Sequence, residues 1–503
     1  MWHLYLILVF IIFILYIALN SRKPVGFPPG PSWVPIVGNL PLFISLRRKL
    51  GFTHLVYAKL SARYGPLLGL RMGRDLLVIA SGEKAIRDVL SRPEFDARPD
   101  GFLFRFRSFG RRLGLVFTDG DHFTEQKKFL LTHLKSFGLN RSIMEDKILD
   151  EIQDLQTALK EMSQVSLPDA FGVSVVNALW GIIAGQRFKV GDSRPATFLR
   201  YITTAFRLQD MSGGILNQMP IIRFIAPDLS HFNQTKMIGD ALTAFMRELV
   251  SEHRNSQTSQ SKDSARDFID AFLYEIESRP PGEGNSEFSE EQLLMLLLDL
   301  FLAGAETTNS TLCYAFLYLL HFPGWQDILQ KELDSIVSPG EPVQMKHKPI
   351  MKYMEIFLME LQRHANVTPT TISHRASKTT EVMGYLIPKD TVVIANLYSI
   401  HMDKDHWKDP EVFRPERFLD ENGGIIKDPW LMPFGLGKRK CIGESLAKEE
   451  LFLFLGNLLH EFRVSPVPGT PIPTLRGLDG ATVCPQTFQC VFTPKRPPAT
   501  ITT

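Results

Sequence analysis

Cysteine is scarce in this chain of 503 residues, and no internal repeat is apparent. The four cysteines are Cys313, Cys441, Cys484 and Cys490. They are too few and too late in the chain for a disulfide framework, so a reducing compartment is the simpler interpretation. The net charge is also small, at +2. A near-neutral chain gives no general reason to expect nucleic-acid binding, and any basic patch must act locally.

Domain boundaries are also hard to find. Hydrophobic residues make up 44% of the chain and charged residues 22%, which is typical of a globular protein with a sizeable core. Two polar connectors, residues 256–264 and 280–284, look like surface loops between helices rather than linkers. The sequence therefore predicts one large domain over residues 36–497.

An apolar run lies at the N-terminus. Residues 2–19 are nearly all apolar, which is just long enough to span a bilayer, and Arg22 and Lys23 follow. A cleavable signal peptide is the competing interpretation, but the run lacks a positive n-region and a clear cleavage site. Because basic residues stay on the cytosolic side, we expect an anchor at residues 1–23, a stiff proline-rich hinge at residues 24–35 and a cytosolic domain.

Most of the remaining sequence is helical in pattern. After residue 120, apolar residues recur at spacings of three and four. Short runs predict strands at residues 67–71, 76–80, 384–387 and 391–395, and a strand hairpin at residues 482–493. The expected fold is mainly α with a small β-region.

A phenylalanine-rich segment follows Arg98, where Phe102, Phe104 and two more phenylalanines alternate with arginines. Such alternation could suggest binding of single-stranded nucleic acid. The near-neutral charge favours a folded loop instead, with aromatic side chains facing a pocket and arginines facing water or anions.

A long apolar helix is expected from a capping signature at Ser289 to about Leu320. It contains Ala303-Gly-Ala-Glu306-Thr307, and small residues followed by a carboxylate fill a core poorly. One interpretation is a helix crossing with a partly exposed glutamate. The other is a widened groove where a ligand lies against the helix and where Glu306 and Thr307 relay protons.

Cys441 lies in Phe434-Gly-Leu-Gly-Lys-Arg439-Lys-Cys441-Ile-Gly443, a glycine-rich basic turn before an apolar helix. Backbone N–H groups and nearby basic residues favour a thiolate. One soft anionic ligand in an apolar setting suits haem iron better than zinc, which takes three or four protein ligands. A buried structural cysteine beside a basic loop is the alternative.

These motifs occur in a familiar order: anchor, hinge, Ala-Gly-x-Glu-Thr, Glu360-x-x-Arg363, Pro-Glu-Arg417-Phe, and the Cys441 turn. Over essentially its whole length the chain resembles the haem-thiolate monooxygenases of the cytochrome P450 family. It is most similar to the microsomal clan that includes vertebrate drug- and steroid-metabolising enzymes and insect hormone-metabolising ones.

The resemblance implies roles for particular residues. Cys441 would be the axial ligand of haem b iron, with Phe434 beside the sulfur and Gly443 allowing close approach of the porphyrin. Glu306 and Thr307 would organise protons. The haem propionates would be bound by Arg98, His374, Arg439 and Lys127. Glu360, Arg363 and Arg417 would form a buried structural triad, whose loss should prevent haem retention.

The family pattern is broken in one helix. The family usually has Trp-x-x-x-Arg where this chain has Phe123-x-x-x-Lys127. A phenyl ring cannot donate a hydrogen bond, and a lysine replaces a bidentate guanidinium with a point charge. We therefore expect weaker haem anchorage on this side.

The resemblance further implies a monooxygenase of the endoplasmic reticulum membrane that receives electrons from NADPH through cytochrome P450 reductase, with cytochrome b5 as a second candidate partner. The pocket is expected to be lined by Phe102, Phe104, Ala303, Val367 and Ala481, for a lipophilic substrate such as a sesquiterpenoid, a steroid or an aromatic compound. The rivals are an isomerase or dehydratase of the same fold that needs no reductase, and a haem-binding carrier or sensor without turnover.

Overall fold

The structure is a computed structural model that describes residues 2–3, 5–8, 10–11, 22–138, 142–188, 192–256, 265–278 and 287–495. Most of the expected anchor, including residues 12–21, lies outside the described residues. Among the residues that are described, the one helix long and apolar enough to cross a membrane is Glu290–His321, and most of it is buried inside the protein.

Eighteen helices are described between Leu40 and Glu461, in agreement with the predicted mainly α fold. In chain order they are α1 Leu40–Leu50, α2 Thr53–Tyr64, α3 Glu83–Ser91, α4 Phe102–Phe106, α5 Gly120–Ser136, α6 Ser142–Glu161, α7 Asp169–Ile183, α8 Arg194–Leu208, α9 Gly214–Gln218, α10 Ile222–Ile225, α11 Phe232–Ser256, α12 Phe268–Glu277, α13 Glu290–His321, α14 Pro323–Ile336, α15 Lys352–Ala365, α16 Tyr398–His401, α17 Lys404–Trp407 and α18 Glu444–Glu461.

Within the described part of the chain, nine strands form three small sheets. They are β1 Leu67–Met72, β2 Asp75–Ala80, β3 Val165–Leu167, β4 His374–Arg375, β5 Thr380–Val382, β6 Tyr385–Ile387, β7 Val392–Ala395, β8 Phe462–Pro466 and β9 Phe488–Pro494. The largest sheet has the order β1-β2-β7-β4, in which β2 and β7 are parallel and the other pairs antiparallel. The second has the order β3-β9-β8, and β5 pairs with β6.

Helix α13 runs through the centre of the main core. Its N-cap is the predicted one, because Ser289 Oγ accepts a hydrogen bond of 3.2 Å from the Gln292 backbone N–H. Helices α7, α11, α15 and α18 pack around it. The long apolar run of its sequence is thus explained by burial on nearly all sides.

The expected hinge packs against the domain. Phe27 and Trp33 are buried with their rings edge to face, 6.0 Å apart. A Cβ added at Gly30 would lie 1.9 Å from the Gly69 carbonyl oxygen of β1. From Phe27 onward the segment is therefore held on the sheet.

Two local predictions need correction. The predicted hairpin at residues 482–493 is wrong, because β9 pairs with the distant strands β3 and β8. An isolated bridge links Leu478 and Cys484 instead. The phenylalanine-rich segment contains a short helix, α4, with its backbone bonds satisfied locally. Pairing between distant segments leaves no signal in local periodicity, which explains the first error.

Candidate active site

A cavity of about 950 Å³ lies between α13 and the turn that precedes α18. Cys441 opens into this cavity, and its backbone N–H donates a hydrogen bond of 3.0 Å to the Phe434 carbonyl oxygen. Gly437 has a φ of +77°, and a Cβ there would lie 2.0 Å from the Leu90 carbonyl oxygen. The turn can therefore pass this close to α3 only with glycine at that position.

The pKa of the Cys441 thiol lies above its ordinary value, whereas the sequence predicts a lowered one. Desolvation by burial raises that pKa, and the Gly443 backbone and Lys440 lower it only in part. Lys440 pairs with Glu444 at 2.6 Å, and Arg439 turns towards backbone carbonyl groups. A thiol that coordinates a metal loses its proton, so the raised pKa describes the turn without a metal.

Arg98 is the most deeply buried cation of the cavity wall, with 5% of its surface exposed. Its side chain donates to the carbonyl oxygens of Val116, Ile372 and Ser373 at 2.9–3.0 Å. Burial, together with the like charge of Arg439, lowers the pKa of its guanidinium to about 9. Two neighbouring guanidinium groups in a buried wall favour an anionic ligand.

Arg439 stacks on the ring of Phe123, with its guanidinium carbon 3.5 Å from the ring centroid. Burial lowers the pKa of Arg439 to about 10. Lys127 lies over the other part of the same ring at 5.5 Å and donates to the Lys438 carbonyl oxygen at 3.1 Å. The Phe123 ring therefore makes cation–π contacts with both cations. The prediction of weaker haem anchorage at Phe123 and Lys127 stays a prediction.

His374 also lines the cavity and is buried. Its Nδ1 lies 2.7 Å from the Phe95 carbonyl oxygen, so Nδ1 carries a proton. Burial lowers the pKa of the imidazole to about 3, and Arg98 adds to that effect. In the neutral ring Nε2 accepts hydrogen bonds, so His374 would bind a carboxylate only as the imidazolium.

The wall contributed by α13 has two faces at the Ala-Gly-Ala sequence. Ala303 and Thr307 line the cavity, and Thr307 Oγ1 donates to the Ala303 carbonyl oxygen at 2.8 Å. A Cβ at Gly304 would lie 2.7 Å from a Leu179 methyl group of α7. The small residues therefore serve both a helix crossing and a ligand groove.

Glu306 is not brought into the cavity beside Thr307. Among the described residues it is absent from the cavity lining, and it is 4% exposed. Its carboxylate accepts a hydrogen bond of 2.9 Å from Thr203 Oγ1 and pairs with Arg207 at 3.1 Å. Both partners lie on α8. Successive residues of a helix point in different directions, so Glu306 faces α8 when Thr307 faces the cavity.

Glu360, Arg363 and Arg417 meet in a buried cluster. Arg363 donates two hydrogen bonds to the Glu360 carboxylate, at 2.7 and 2.8 Å, and Arg417 donates one at 3.1 Å. Both side chains of the Glu360–Arg363 pair are 0% exposed. Arg363 also donates to the carbonyl oxygens of His401 and Pro410. The cluster joins α15 to the coil between α16 and the Cys441 turn.

Comparison with known proteins bears on this arrangement directly. The sequence profile of the family described as "Cytochrome P450" matches residues 28–492, which is nearly the whole chain. The chain belongs to the cytochrome P450 family. Membership makes it a monooxygenase, an oxidoreductase that acts on lipophilic compounds.

Its relatives among cytochrome P450 proteins match it over most of its length. It is 37% identical to "Farnesoate epoxidase" of Bombyx mori, over 98% of this chain and 99% of that protein. It is 34% identical to "Probable cytochrome P450 305a1" of Drosophila melanogaster, over 97% and 98%. It is also 34% identical to "Cytochrome P450 2J5" of Mus musculus, over 89% and 87%.

The residues of this cytochrome P450 fit the haem cofactor that its family implies. A thiol opens into the cavity from one wall, and Gly443 leaves space beside it, since a Cβ added at this glycine would lie 3.9 Å from the Cys441 sulfur. Arg98, Arg439 and Lys127 line the same cavity without a carboxylate bonded to them there. These cations suit the two propionates of haem b.

The expected substrate pocket is largely part of the same cavity. Phe104, Ala303, Val367 and Ala481 line it. Phe102 does not, among the residues described. Its ring stacks on Phe106 at 5.4 Å and lies under the guanidinium of Arg223 at 4.2 Å. In a helix as short as α4, adjacent even-numbered residues cannot all face one way, so Phe104 turns inward and Phe102 outward.

Sequence reasoning missed Glu450, which lines the cavity from α18. Its carboxyl is 2% exposed, lies against the Thr308 hydroxyl and has one oxygen without a hydrogen-bond partner. Burial raises its pKa to about 8, so it is protonated at neutral pH. The sequence signal that could have found this residue is a glutamate within the apolar stretch of α18.

Sequence reasoning also missed the pairing of Arg107 with Asp299. Arg107 lies at the end of the phenylalanine-rich segment and Asp299 in α13, and both line the cavity. They are 192 residues apart in sequence. Local patterns therefore contain no sign that they meet.

Proposed function

We propose that the protein is a haem-thiolate monooxygenase that inserts one oxygen atom from O2 into a lipophilic small molecule, by hydroxylation or epoxidation. The proposal rests on one observation: the Cys441 thiol opens into a cavity that also presents Thr307 and three cations. The Cys441 sulfur would hold the iron of haem, which when bound there would supply the activation of O2.

The chain's own residues would orient and protect the reaction. Arg98, Arg439 and Lys127 would hold the propionates and so fix the plane of the cofactor. The apolar lining would exclude water from the reacting atoms. Thr307 Oγ1 donates its hydrogen to the Ala303 carbonyl oxygen, so its lone pairs can accept a hydrogen bond from a proton-bearing group in the cavity.

A second proton-holding group supports this arrangement. Glu450 keeps its proton at neutral pH on the side of α18 that faces α13. The Thr308 hydroxyl lies against it, one residue after Thr307. Glu306, paired with Arg207, would take part in proton transfer only after leaving that pair.

The substrate class is proposed from the lining and from one relative. Most of the surface that lines the cavity is apolar, with leucine and phenylalanine side chains from several elements, which suits a lipophilic molecule. The similarity to a protein named farnesoate epoxidase supports a sesquiterpenoid substrate, ahead of a steroid or an aromatic compound.

Electrons would come from NADPH through cytochrome P450 reductase, with cytochrome b5 as a second candidate donor. Lys128, Lys438 and Lys440 are exposed around the Cys441 turn, where they would attract an acidic partner. The apolar residues 2–19 support a single-pass location in the endoplasmic reticulum membrane, with the domain facing the cytosol.

The haem ligand can be tested with carbon monoxide. We expect the reduced protein to show the red-shifted absorbance of a thiolate-ligated ferrous–CO complex. Cys441→Ala should abolish it, and Cys484→Ala, which removes a buried thiol outside the cavity lining, should retain it. Product analysis by mass spectrometry after co-expression with reductase then tests the reaction. Turnover of a hydroperoxide without NADPH or O2 would contradict the proposal and favour an isomerase.

Thr307→Ala tests the proton role of α13. We expect the variant to keep the haem spectrum but to release a larger share of NADPH electrons as hydrogen peroxide, because the cavity loses a hydroxyl that orders proton-bearing groups by hydrogen bonding. The ratio of product to NADPH consumed is the measurement. Thr311→Ala removes a similarly bonded hydroxyl one turn further along and should uncouple much less. Equal coupling in wild type and Thr307→Ala would exclude the role.

A further inference from the structure

A pair of uncharged polar side chains lies in the cavity wall where α8 ends and α11 begins. Gln209 directly follows α8, and its Nε2 donates a hydrogen bond of 3.2 Å to Oγ1 of Thr235 in the first turn of α11. Both residues line the cavity, and both are partly exposed. A ligand in the cavity can therefore contact them.

The pair has hydrogen-bond donors to spare. An amide NH2 group has two hydrogens and a hydroxyl has one, and the bond between Gln209 and Thr235 uses one of these three. Among the described residues, neither side chain donates to a further acceptor. The number of spare donors is the same whichever of the two side chains donates in the bond between them. The pair can thus donate to an acceptor on a ligand.

The turn that follows α8 holds the pair in place. Gln209 Oε1 lies beside Gly214, where a Cβ would be 3.1 Å away from it. The Gly214 backbone N–H donates to Asp210 Oδ1 at 3.1 Å. The Met211 carbonyl oxygen accepts a hydrogen bond of 3.3 Å from the Ser373 backbone N–H, in another segment of the chain. A donor that is already fixed loses less entropy when it binds a ligand.

The charges near the pair do not favour an anionic ligand. Asp210 is the next residue after Gln209 and lines the cavity. The Lys236 ammonium, beside Thr235 in sequence, pairs with Asp240 at 2.6 Å. Arg247 also lines the cavity, but it lies about 18 Å further along α11. A carboxylate at the pair would lose its water without gaining a cation, whereas an uncharged carbonyl oxygen needs only a neutral donor.

The pair and Thr307 lie at different levels of the cavity. Thr203 Oγ1 donates to Glu306, the neighbour of Thr307, and Gln209 is six residues further along the chain than Thr203. About 9 Å along the α8 axis therefore separates the pair from the level of Thr307. Apolar residues of α8, among them Phe206, line the cavity between these levels. A ligand that spans both levels has an acceptor oxygen at one end and an extended apolar chain.

We propose that Gln209 and Thr235 are specificity residues that bind an uncharged carbonyl oxygen of the lipophilic substrate and so direct the other end of its chain towards Thr307 and Cys441. This inference rests on the proposed function for its reaction, but binding can be tested without turnover. The two side chains act by contact with the ligand, since they line the cavity and have unused donors.

The test compares methyl farnesoate with farnesene, two molecules with similar apolar chains of which only the first has a carbonyl oxygen. Each is titrated into the ferric holoenzyme, and its dissociation constant is read from the change in haem absorbance. The selectivity is the farnesene constant divided by the methyl farnesoate constant. Thr235→Val, which replaces the hydroxyl with a methyl group, should lower the selectivity about threefold to tenfold, mainly by weakening the ester.

Two variants serve as controls for Thr235→Val. Thr235→Ser keeps the hydroxyl and should keep the wild-type selectivity. Thr243→Val makes the same replacement at another residue of α11 that lines the cavity, and it should also leave the selectivity unchanged. If Thr235→Val does not retain haem, Gln209→Met, which removes the amide at a similar side-chain length, should show the same loss of selectivity.

Two results would overturn the proposal. One is a selectivity that stays at the wild-type value in Thr235→Val or Gln209→Met. The other is equal weakening of both ligands, which is the result expected if the bond between Gln209 and Thr235 only joins α8 to α11.

The outcome is separable from the proposed function. If the wild type binds methyl farnesoate selectively through the pair but oxidises neither ligand, the specificity role stands and the proposed reaction on this substrate class fails. If NADPH-dependent oxidation of the ester occurs and Thr235→Val leaves the selectivity unchanged, the proposed function stands and the specificity role fails.

Discussion

Glu450 keeps its proton in a cavity whose walls are mostly apolar. Its pKa is raised from 4.5 to about 8 by burial, so the folded protein holds this proton where the unfolded chain has lost it. Unfolding then releases a proton between about pH 4.5 and 8, and stability from this group falls as the pH rises through that window. The Glu450 side chain therefore lowers the free energy of unfolding at neutral and alkaline pH.

Glu450→Gln should remove that effect. We expect the gain in melting temperature over the wild type to be larger at pH 8.5 than at pH 5. At the higher pH the glutamic acid must either keep its proton or be buried as an anion, whereas the glutamine amide is neutral at both pH values. Thermal unfolding of the two proteins across this range is the measurement. Glu461→Gln, on the same helix with its carboxylate bonded to Lys160, controls for a general change of charge. A difference independent of pH would show that Glu450 does not titrate as described.

Cys441 makes a related point about single residues. The turn presents the thiol to the cavity but leaves it poorly solvated, and the adjacent Lys440 and Arg439 have other partners. The residue types near a cysteine in sequence therefore do not by themselves determine the pKa of its thiol. Desolvation, the largest contribution, depends on how the protein packs around the turn.

At the scale of elements, the cluster of Glu360, Arg363 and Arg417 connects α15 with the coil before the Cys441 turn. The Glu360 carboxylate also accepts a hydrogen bond of 2.8 Å from the Arg414 backbone N–H. Arg363 lies 5.2 Å from the Trp407 ring centroid at the end of α17. The position of the coil, and through it that of the Cys441 turn, depends on these bonds.

Arg363→Met should therefore destabilise the fold and reduce haem retention. Removing one partner of a buried ion pair typically costs about 3–5 kcal/mol, because the other charge stays buried. Denaturant unfolding followed by circular dichroism measures the loss, and the haem-to-protein absorbance ratio measures retention. Arg414→Met removes a guanidinium that is 46% exposed and paired with Asp409, and should cost less than about 1 kcal/mol. If both variants unfold alike, the cluster is not the connection described.

At the scale of the whole molecule, we expect the segments that line the cavity to depend on the cofactor for their stability more than the segments that lie away from it. Many residues of 98–119 and 434–443 line it, whereas one face of β1 and β2 belongs to a separate apolar cluster. Ligand binding stabilises the segments that contact the ligand, and an unfilled cavity of this size leaves their side chains without partners.

Haem removal should accordingly act locally. We expect the haem-free protein to melt at a lower temperature and to exchange amide hydrogens faster at residues 98–119 and 434–443, with little change in β1 and β2. Hydrogen exchange followed by mass spectrometry, before and after haem is added back, measures this. Uniformly faster exchange along the chain would instead mean that the whole fold depends on the cofactor.

Much of this architecture was predictable because it depends on residues that are close together in the sequence. The long helices follow from apolar spacing, the start of α13 from the capping signature at Ser289, and β1 and β2 from two short runs around a tight turn. The position of Cys441 behind its glycines was visible for the same reason. The turn needs glycine where the chain passes close to Leu90.

Only the tertiary structure decided which side chains meet. Glu306 faces Arg207 and not the cavity, β9 joins strands far away in the chain, and Arg107 reaches Asp299 across 192 residues. Sequence determines periodicity, caps and turns, since these depend on neighbours along the chain. Partner choice among distant charges depends on the packing of whole helices, which brings α8 to Glu306 and the phenylalanine-rich segment to Asp299.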